Sequence, residues 1–334
     1  MQRIGIIGGG AWGTALAAAA RRAGRDVLLW ARESAVVEAI NARHANPMFL
    51  PGVDLDPAIR ATGDLAEAAA RELLLLVVPA QHLRETAAKL APHAAPDTPV
   101  AICAKGIEQG TGALMSEALA DALPGRPPAV LSGPTFAAEV ARGLPTALTL
   151  ASADPVLGER IVGALHDPYF RLYRSDDPVG AQIGGALKNV IAIACGISDG
   201  RRLGDNARAA LLTRGASETT RFALALGAKP ETMMGLAGIG DLALTCMGAQ
   251  SRNRSLGFEL GEGRALADIL EERNSVAEGM WTAASVLERA ARLGVEMPIA
   301  EAVDAIVNAG ADIDETIRAL LSRPAAAEAP WARG

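Results

Sequence analysis

The sequence predicts an α/β fold: a doubly wound parallel sheet in the first half, followed by a region that is almost entirely helical. Short β-branched runs alternate with amphipathic stretches over the first half, a glycine-rich turn follows the first run, and strand patterns cease after about Asp177. Alternating strands and helices are typical of parallel sheets covered by helices on both faces. With 334 residues, the chain is long enough for two domains.

The strand and helix patterns set the expected domain limits. Strands are predicted at residues 4–7, 26–30, 59–62, 73–78, 99–104, 129–131 and 146–150. The run at 73–78 is apolar throughout, as in central strands buried on both faces. Helices are predicted at 14–23 and 34–41, after Asp64 as a cap, and then at 179–195, 207–226, 266–271, 282–293 and 300–307. We expect a sheet domain at 1–176, a helical domain at 177–322 and a disordered tail at 323–334.

Composition excludes several function classes. The net charge of −6 argues against a nucleic-acid surface, which requires a basic face. Because the three cysteines, Cys103, Cys195 and Cys246, form no CxxC, we expect buried thiols, no metal site and a reducing, cytoplasmic setting. No signal peptide or membrane span is expected, since the apolar runs are interrupted by Gly, Lys or Arg.

The first predicted strand leads directly into Gly8-Gly9-Gly10-Ala11-Trp12-Gly13, a GxGxxG motif that opens the next predicted helix. In such a turn Gly8 permits the tight bend, Gly10 lets the backbone approach a pyrophosphate, and Gly13 lets helix and strand pack closely. The phosphates then lie at the positive end of the helix. This context favours a dinucleotide-binding Rossmann domain over a glycine-rich turn in another α/β protein.

Cofactor choice depends on the end of the second strand, where Arg32 and Glu33 stand. A carboxylate there suits the ribose hydroxyls of NAD, whereas an arginine accommodates the 2′-phosphate of NADP. Arg32 favours NADPH, and NADH stays open because Arg32 also fits the description of a solvated surface charge.

Three residues follow later strands, at the sheet edge where ligands bind in open parallel sheets. Lys105 comes directly after one strand, and Gly133 and Thr135 come after the next. The ammonium of Lys105 can bind a phosphate or hydroxyl, and Gly133 and Thr135 offer an N–H and a hydroxyl. The alternative for Lys105 is an ordinary surface lysine.

Lys188 is the candidate catalytic residue. It lies in the middle of an apolar predicted helix, and Gly184, one turn earlier, leaves room for a ligand or a second backbone. A buried lysine must be paired or have its pKa lowered, and a lysine with a lowered pKa suits the proton donor that carbonyl reduction needs. The alternative is a lysine that snorkels to solvent.

Polar residues further along the chain complete the candidate site. Asp241 stands in a loop of small residues, where it can orient Lys188, bind a substrate hydroxyl or cap a helix. Ser251, Arg252 and Asn253 together offer a hydroxyl, a guanidinium and an amide, a set suited to a phosphate monoester, or else form a solvated loop. Glu278 is less informative by itself.

Taken together, these segments resemble the bacterial NAD(P)-dependent glycerol-3-phosphate dehydrogenases over roughly residues 2–320. The matching segments are GGGAWGTALA at the start, NPMFLPG at 46–52, VVPAQHLR at 77–84, AKGIE at 104–108, SGPTFAAEVARGLPTA at 132–147, GGALKNVIAIACGISDG at 184–200, GLAGIGDLALTC at 235–246, SRNRSLG at 251–257 and VAEG at 276–279.

The resemblance implies a helical domain related to that of 6-phosphogluconate dehydrogenase and a reaction between dihydroxyacetone phosphate and sn-glycerol 3-phosphate that supplies phospholipid synthesis. It implies that Lys188 is the general acid and base. The implied substrate contacts are Lys105, Gly133, Thr135, Lys188, Asp241, Ser251, Arg252 and Asn253. The implied cofactor contacts are Gly8, Gly10, Ala11, Trp12, Gly13, Arg32, Lys105, Ala137, Arg252, Val276 and Glu278.

Other functions stay open on the sequence alone. The same fold can reduce a 3-hydroxy acid's keto form or ketopantoate, and a silent dinucleotide-binding sensor would keep the turn without turnover. A homodimer is compatible with the family, but the sequence marks no interface.

Overall fold

The computed structural model describes residues 1–273 and 277–324, which form two compact units. The first unit comprises Met1–Lys105 and Leu114–Ala181, and the second comprises Gly106–Ala113 and the described residues from Gln182 onward. Of the tail predicted at 323–334, Arg323 bonds to Glu296 at 2.8 Å, and residues 325–334 lie outside the described residues.

The first unit is built on an eight-stranded sheet, which confirms the predicted fold class. Its strand order is β10-β9-β8-β7-β6-β1-β2-β5, and β3 pairs with β4 in a separate hairpin. The strands are β1 (Arg3–Ile7), β2 (Asp26–Trp30), β3 (Ala45–Asn46), β4 (Leu50–Asp54), β5 (Arg60–Thr62), β6 (Leu73–Leu76), β7 (Val100–Ile102), β8 (Ala129–Ser132), β9 (Thr146–Ser152) and β10 (Phe170–Ser175).

The sheet is parallel from β5 to β8, but β9 runs antiparallel to β8, and β10 runs parallel to β9. The prediction missed this reversal, β10 and the β3–β4 hairpin. In the central strands, residues 4–7 of β1 and all four residues of β6 are buried, as the apolar runs predict.

Helices cover the sheet, and side-chain caps fix the start of two of them. Asp64 accepts the N–H of Ala66, as predicted, and Asp154 accepts those of Val156 and Leu157. The helices of this unit are α1 (Ala11–Arg22), α2 (Ser34–Arg43), α3 (Leu65–Ala69), α4 (Leu83–Leu90), α5 (Met115–Ala122), α6 (Ala137–Ala141) and α7 (Pro155–Leu165), with one 3₁₀ turn at Ala80–His82.

In the described residues of the second unit from Gln182, the regular secondary structure is all helical, and the five helices predicted there are present. The helices are α8 (Pro178–Gly200, which begins in the first unit), α9 (Asp205–Ala225), α10 (Pro230–Met233), α11 (Asp241–Met247), α12 (Arg252–Gly261), α13 (Leu266–Glu272), α14 (Gly279–Leu293), α15 (Pro298–Val307) and α16 (Ile313–Leu321), with one π-helical turn at Leu236–Gly240.

Helix α8 is the core helix of the second unit. It is long and apolar enough to cross a membrane, yet 94% of its most apolar window is buried inside the protein. A Cβ added at Gly196 would lie 2.1 Å from the carbonyl oxygen of Arg254, and one added at Gly257 would lie 2.1 Å from that of Ile193. Glycines on both helices therefore bring the backbones of α8 and α12 into direct contact.

Candidate active site

The glycine-rich turn joins β1 to α1 and has the geometry of an anion site. A Cβ on Gly13 would lie 1.8 Å from the carbonyl oxygen of Gly8, so that close approach requires glycine. By contrast, no atom lies within 4 Å of a Cβ built on Gly10, where a ligand has room. The first turn of α1, which begins at Ala11, carries no acidic residue. Its N–H groups and dipole are therefore suited to a dinucleotide pyrophosphate.

Asn46, in β3, holds this turn in place. Its buried side-chain amide donates to the carbonyl oxygen of Gly9 at 2.9 Å and to the Thr14 hydroxyl at 2.8 Å, and it accepts the N–H of Phe49. Thr14 in turn donates to the carbonyl oxygen of Gly10. Asn46 was not among the candidate residues, although it begins the segment 46–52 that supports the family resemblance.

The residues expected to bind the rest of the cofactor lie at the ends of strands and the starts of helices. Arg32 follows β2 by two residues, has a side chain 79% exposed, and pairs with Glu33 at 2.9 Å. The buried indole nitrogen of Trp12, in the first turn of α1, has no hydrogen-bond partner among the described residues. Ala137 is the first residue of α6.

Lys105 lies just beyond the end of β7, as its predicted strand-end position requires. Its ammonium donates to the carbonyl oxygen of Gly133 at 3.1 Å, and the Thr135 hydroxyl lies 3.4 Å from the same oxygen. The structure therefore brings these three candidate residues together. Beside them, burial raises the pKa of the Cys103 thiol to about 12, so this cysteine is an unreactive core residue, as predicted.

Lys188 and Asp241 form a buried ion pair in the second unit. The lysine Nζ lies 2.5 Å from Asp241 Oδ1, and the two side chains are 9% and 0% exposed. Since Lys188 is paired and buried, it is not a snorkelling lysine. The Thr245 hydroxyl, one turn along α11, donates to the carbonyl oxygen of Asp241 and lies 3.4 Å from Oδ1.

Gly184 allows α8, which carries Lys188, to approach the segment that leads to Asp241. A Cβ at this position would lie 2.1 Å from the carbonyl oxygen of Ala237, so α8 touches the backbone of the π-helical turn. The turn leads directly into α11, whose first residue is Asp241. The sequence left two roles open for Gly184, room for a ligand or contact with a second backbone. The structure shows contact with a second backbone. Asp241 both begins a helix and faces the lysine.

The segment Ser251–Asn253 begins α12. Ser251 caps the helix by accepting the N–H of Arg254 at 3.2 Å. The Asn253 amide donates to Asn189 at 2.9 Å and accepts the N–H of Gly279 at 3.0 Å. Arg252 is exposed, and within the described ranges its guanidinium forms no hydrogen bond or ion pair.

Asn253 and Asn189 link α12, α8 and the start of α14, where Glu278 is the N-cap residue. Val276, the other cofactor contact expected there, lies outside the described residues. Asn189 was not among the candidate residues, although it is adjacent to Lys188.

The fold and the turn define a dinucleotide-binding protein of the Rossmann type with a helical second unit. Two family models match the chain: the N-terminus of NAD-dependent glycerol-3-phosphate dehydrogenase at residues 3–157, and its C-terminus at 177–318.

Individual relatives belong to the same family as the matching models. The glycerol-3-phosphate dehydrogenase [NAD(P)+] of Parvibaculum lavamentivorans is 55% identical over 97% of both chains, and that of Rhodospirillum rubrum is 58% identical over 97% of this chain and 93% of its own. The crystal structure of glycerol-3-phosphate dehydrogenase from Coxiella burnetii has a TM-score of 0.93 and 39% identity, covering 96% of this chain and 99% of its own. The chain therefore belongs to the NAD-dependent glycerol-3-phosphate dehydrogenase family.

Proposed function

We propose that this protein interconverts dihydroxyacetone phosphate and sn-glycerol 3-phosphate with NAD(P)H, and that reduction in the cell supplies the glycerol phosphate of phospholipids. Family membership supports the reaction class. The observation that carries the mechanism is the Lys188–Asp241 pair, a charged amine held in an almost dry setting beside a fully buried carboxylate.

Lys188 acts as the acid in reduction and as the base in oxidation. When bound, the nicotinamide supplies or accepts the hydride. The ammonium donates a proton to the oxygen that becomes the alcohol, which prevents a bare alkoxide from accumulating. An ammonium carries three N–H groups, so its bond to Asp241 still allows donation to a substrate oxygen. Asp241 fixes the position of the nitrogen.

The start of α12 binds the substrate phosphate in this proposal. Arg252 presents a planar set of N–H donors that suits phosphate oxygens, and its exposure leaves it accessible. The Ser251 hydroxyl accepts a backbone N–H, so its own hydrogen can point to a phosphate oxygen. Lys105, Gly133, Thr135 and Asn253 contribute further polar contacts.

The cofactor is NADPH in preference to NADH. Arg32 at the end of β2 is exposed enough to meet a 2′-phosphate, and its pairing with Glu33 is a surface ion pair of small stability. The other proposed cofactor contacts are Gly8, Gly10, Ala11, Trp12, Gly13, Lys105, Ala137, Arg252, Val276 and Glu278. The three free, buried cysteines suit a reducing compartment, and we place the enzyme in the cytoplasm.

A substrate panel tests the proposal. The absorbance of the reduced nicotinamide should fall when dihydroxyacetone phosphate is added to the protein with NADPH, and fall more slowly with NADH. Unphosphorylated dihydroxyacetone and ketopantoate should give no comparable rate. The proposal would be contradicted if NADPH were oxidised with ketopantoate but not with dihydroxyacetone phosphate. Binding of NADPH without turnover of any substrate would also contradict it.

A single substitution tests whether Arg252 binds the substrate phosphate. Arg252→Ala should raise the Michaelis constant for dihydroxyacetone phosphate by at least about tenfold, because a charge-assisted bond to the phosphate is lost. Arg323→Ala, which removes an exposed guanidinium paired with Glu296, is the matched control and should leave it unchanged. An unchanged constant in Arg252→Ala would refute the assignment.

A further inference from the structure

The first turn of α12 is held from several sides, although the side chain of Arg252 is exposed. Ser251 caps the helix at the N–H of Arg254, and Arg273 donates to the carbonyl oxygen of Arg252 at 3.0 Å. The backbone on either side of the Arg252 side chain is therefore fixed.

Asp199, in the last turn of α8, is the anchor for this turn. Its Oδ2 accepts both Nε and Nη2 of Arg254, at 3.0 and 2.6 Å, and its Oδ1 accepts Nη1 of Arg208 at 2.8 Å. The Asp199 side chain is 9% exposed, and that of Arg254 is 23% exposed. Two charge-assisted bonds from one guanidinium to this carboxylate hold the Arg254 side chain in place.

Close backbone contacts between α8 and α12 further restrain the start of α12. The carbonyl oxygen of Arg254 lies against Gly196, and one turn further along each helix the carbonyl oxygen of Phe258 lies against Gly200. Since α8 also carries Lys188, the same helix fixes both the proposed proton donor and the start of α12. Small displacements of binding groups have large effects on catalysis.

We propose that Asp199 is a positioning residue: by holding Arg254, it orients Arg252 toward the substrate phosphate. Together with Asp205, which also pairs with Arg208, it balances the charges of Arg254 and Arg208, which keeps these two guanidiniums from competing with Arg252 for the phosphate. This inference rests on the proposed function, in which Arg252 binds that phosphate.

The test uses Asp199→Asn in the full chain. The amide keeps the shape of the side chain but loses the charge, so the Michaelis constant for dihydroxyacetone phosphate should rise by about tenfold, with the maximal turnover changed less than about threefold. The inhibition constant of inorganic phosphate, as a competitor, should rise in parallel. Asp199→Glu, which keeps the charge, should recover part of the affinity.

Asp314→Asn is the matched control, because Asp314 pairs with Arg201 beside the end of α8 but is 60% exposed. It should leave both constants unchanged. If Asp199→Asn does not fold, Arg254→Lys replaces it as the test variant. This substitution keeps the charge but loses the double contact with Asp199, so it should raise both the Michaelis constant for dihydroxyacetone phosphate and the inhibition constant of inorganic phosphate.

The outcomes separate the two proposals. If the wild-type protein does not reduce dihydroxyacetone phosphate, the proposed function fails. If it does, and Arg252→Ala weakens phosphate binding while Asp199→Asn and Arg254→Lys do not, the positioning role is wrong and the function stands. A loss of turnover in Asp199→Asn with an unchanged Michaelis constant would also overturn the positioning role.

Discussion

Removing the charge of Asp241 should destabilise the second unit strongly, because the Lys188 ammonium stays buried and loses the carboxylate with which it is paired. The pair is 2.5 Å apart, and its side chains are 9% and 0% exposed. At an effective dielectric constant of about 20, two unit charges at this distance attract by about 7 kcal/mol. Desolvation of both groups offsets part of that attraction, so we expect Asp241→Asn to lower the free energy of unfolding by about 3–5 kcal/mol.

Urea unfolding followed by circular dichroism measures this loss. Asp314→Asn, at the exposed pair with Arg201, is the control and should cost less than about 1 kcal/mol. The double variant Lys188→Met/Asp241→Leu removes both charges and keeps apolar volume, so it should recover most of the stability while remaining inactive.

Two results would refute this reasoning. An Asp241→Asn loss no larger than that of Asp314→Asn would mean that the pair is not desolvated. A double variant as unstable as the single one would mean that packing, and not the loss of the ion pair, accounts for the lower stability.

Three further predictions test other parts of the molecule. Gly13→Ala should weaken NADPH binding at least about tenfold in a fluorescence titration, because its Cβ would lie 1.8 Å from the Gly8 carbonyl oxygen; Gly63→Ala, where a Cβ meets no atom within 4 Å, should have no effect. Arg32→Ala should lower the affinity for NADPH by about tenfold and leave that for NADH nearly unchanged, and an equal loss for both would exclude a 2′-phosphate contact. Burial raises the pKa of Glu218, which accepts the N–H groups of Ile299 and Ala300, from 4.5 to about 7. Since the folded state then binds the proton more tightly, the stability of the wild type relative to Glu218→Gln should fall by up to about 3 kcal/mol as the pH rises through that interval, and parallel pH curves would contradict this.

The sequence predicts the elements whose local pattern is strong. The uninterrupted apolar run of β6 and the glycines after β1 identify the sheet and the turn, because burial on both faces and close backbone contact each restrict residue choice. The weakly patterned elements were missed. In β10, Phe170 and Leu172 are buried while Arg171 and Tyr173 are exposed, a period-two signal in a short segment.

Long-range partners mark the limit of sequence reasoning. Lys188 was a candidate because its helix is apolar, but its pairing with Asp241 depends on the contact between Gly184 and Ala237, which no local pattern reveals. Asn46 and Asp199 were missed for the same reason: each binds a segment distant along the chain. The antiparallel direction of β9 likewise depends on how β8 and β9 are connected in space.

The most direct test of the central claim is the turnover of Lys188→Ala with dihydroxyacetone phosphate and NADPH, beside Lys229→Ala as an exposed-lysine control. Loss of the proton donor should lower the rate of NADPH oxidation by about a hundredfold to ten-thousandfold, while titration shows NADPH still bound. The control should keep the wild-type rate. A Lys188→Ala protein that is folded, binds NADPH and reduces the substrate at a near-normal rate would contradict the assigned role of this lysine.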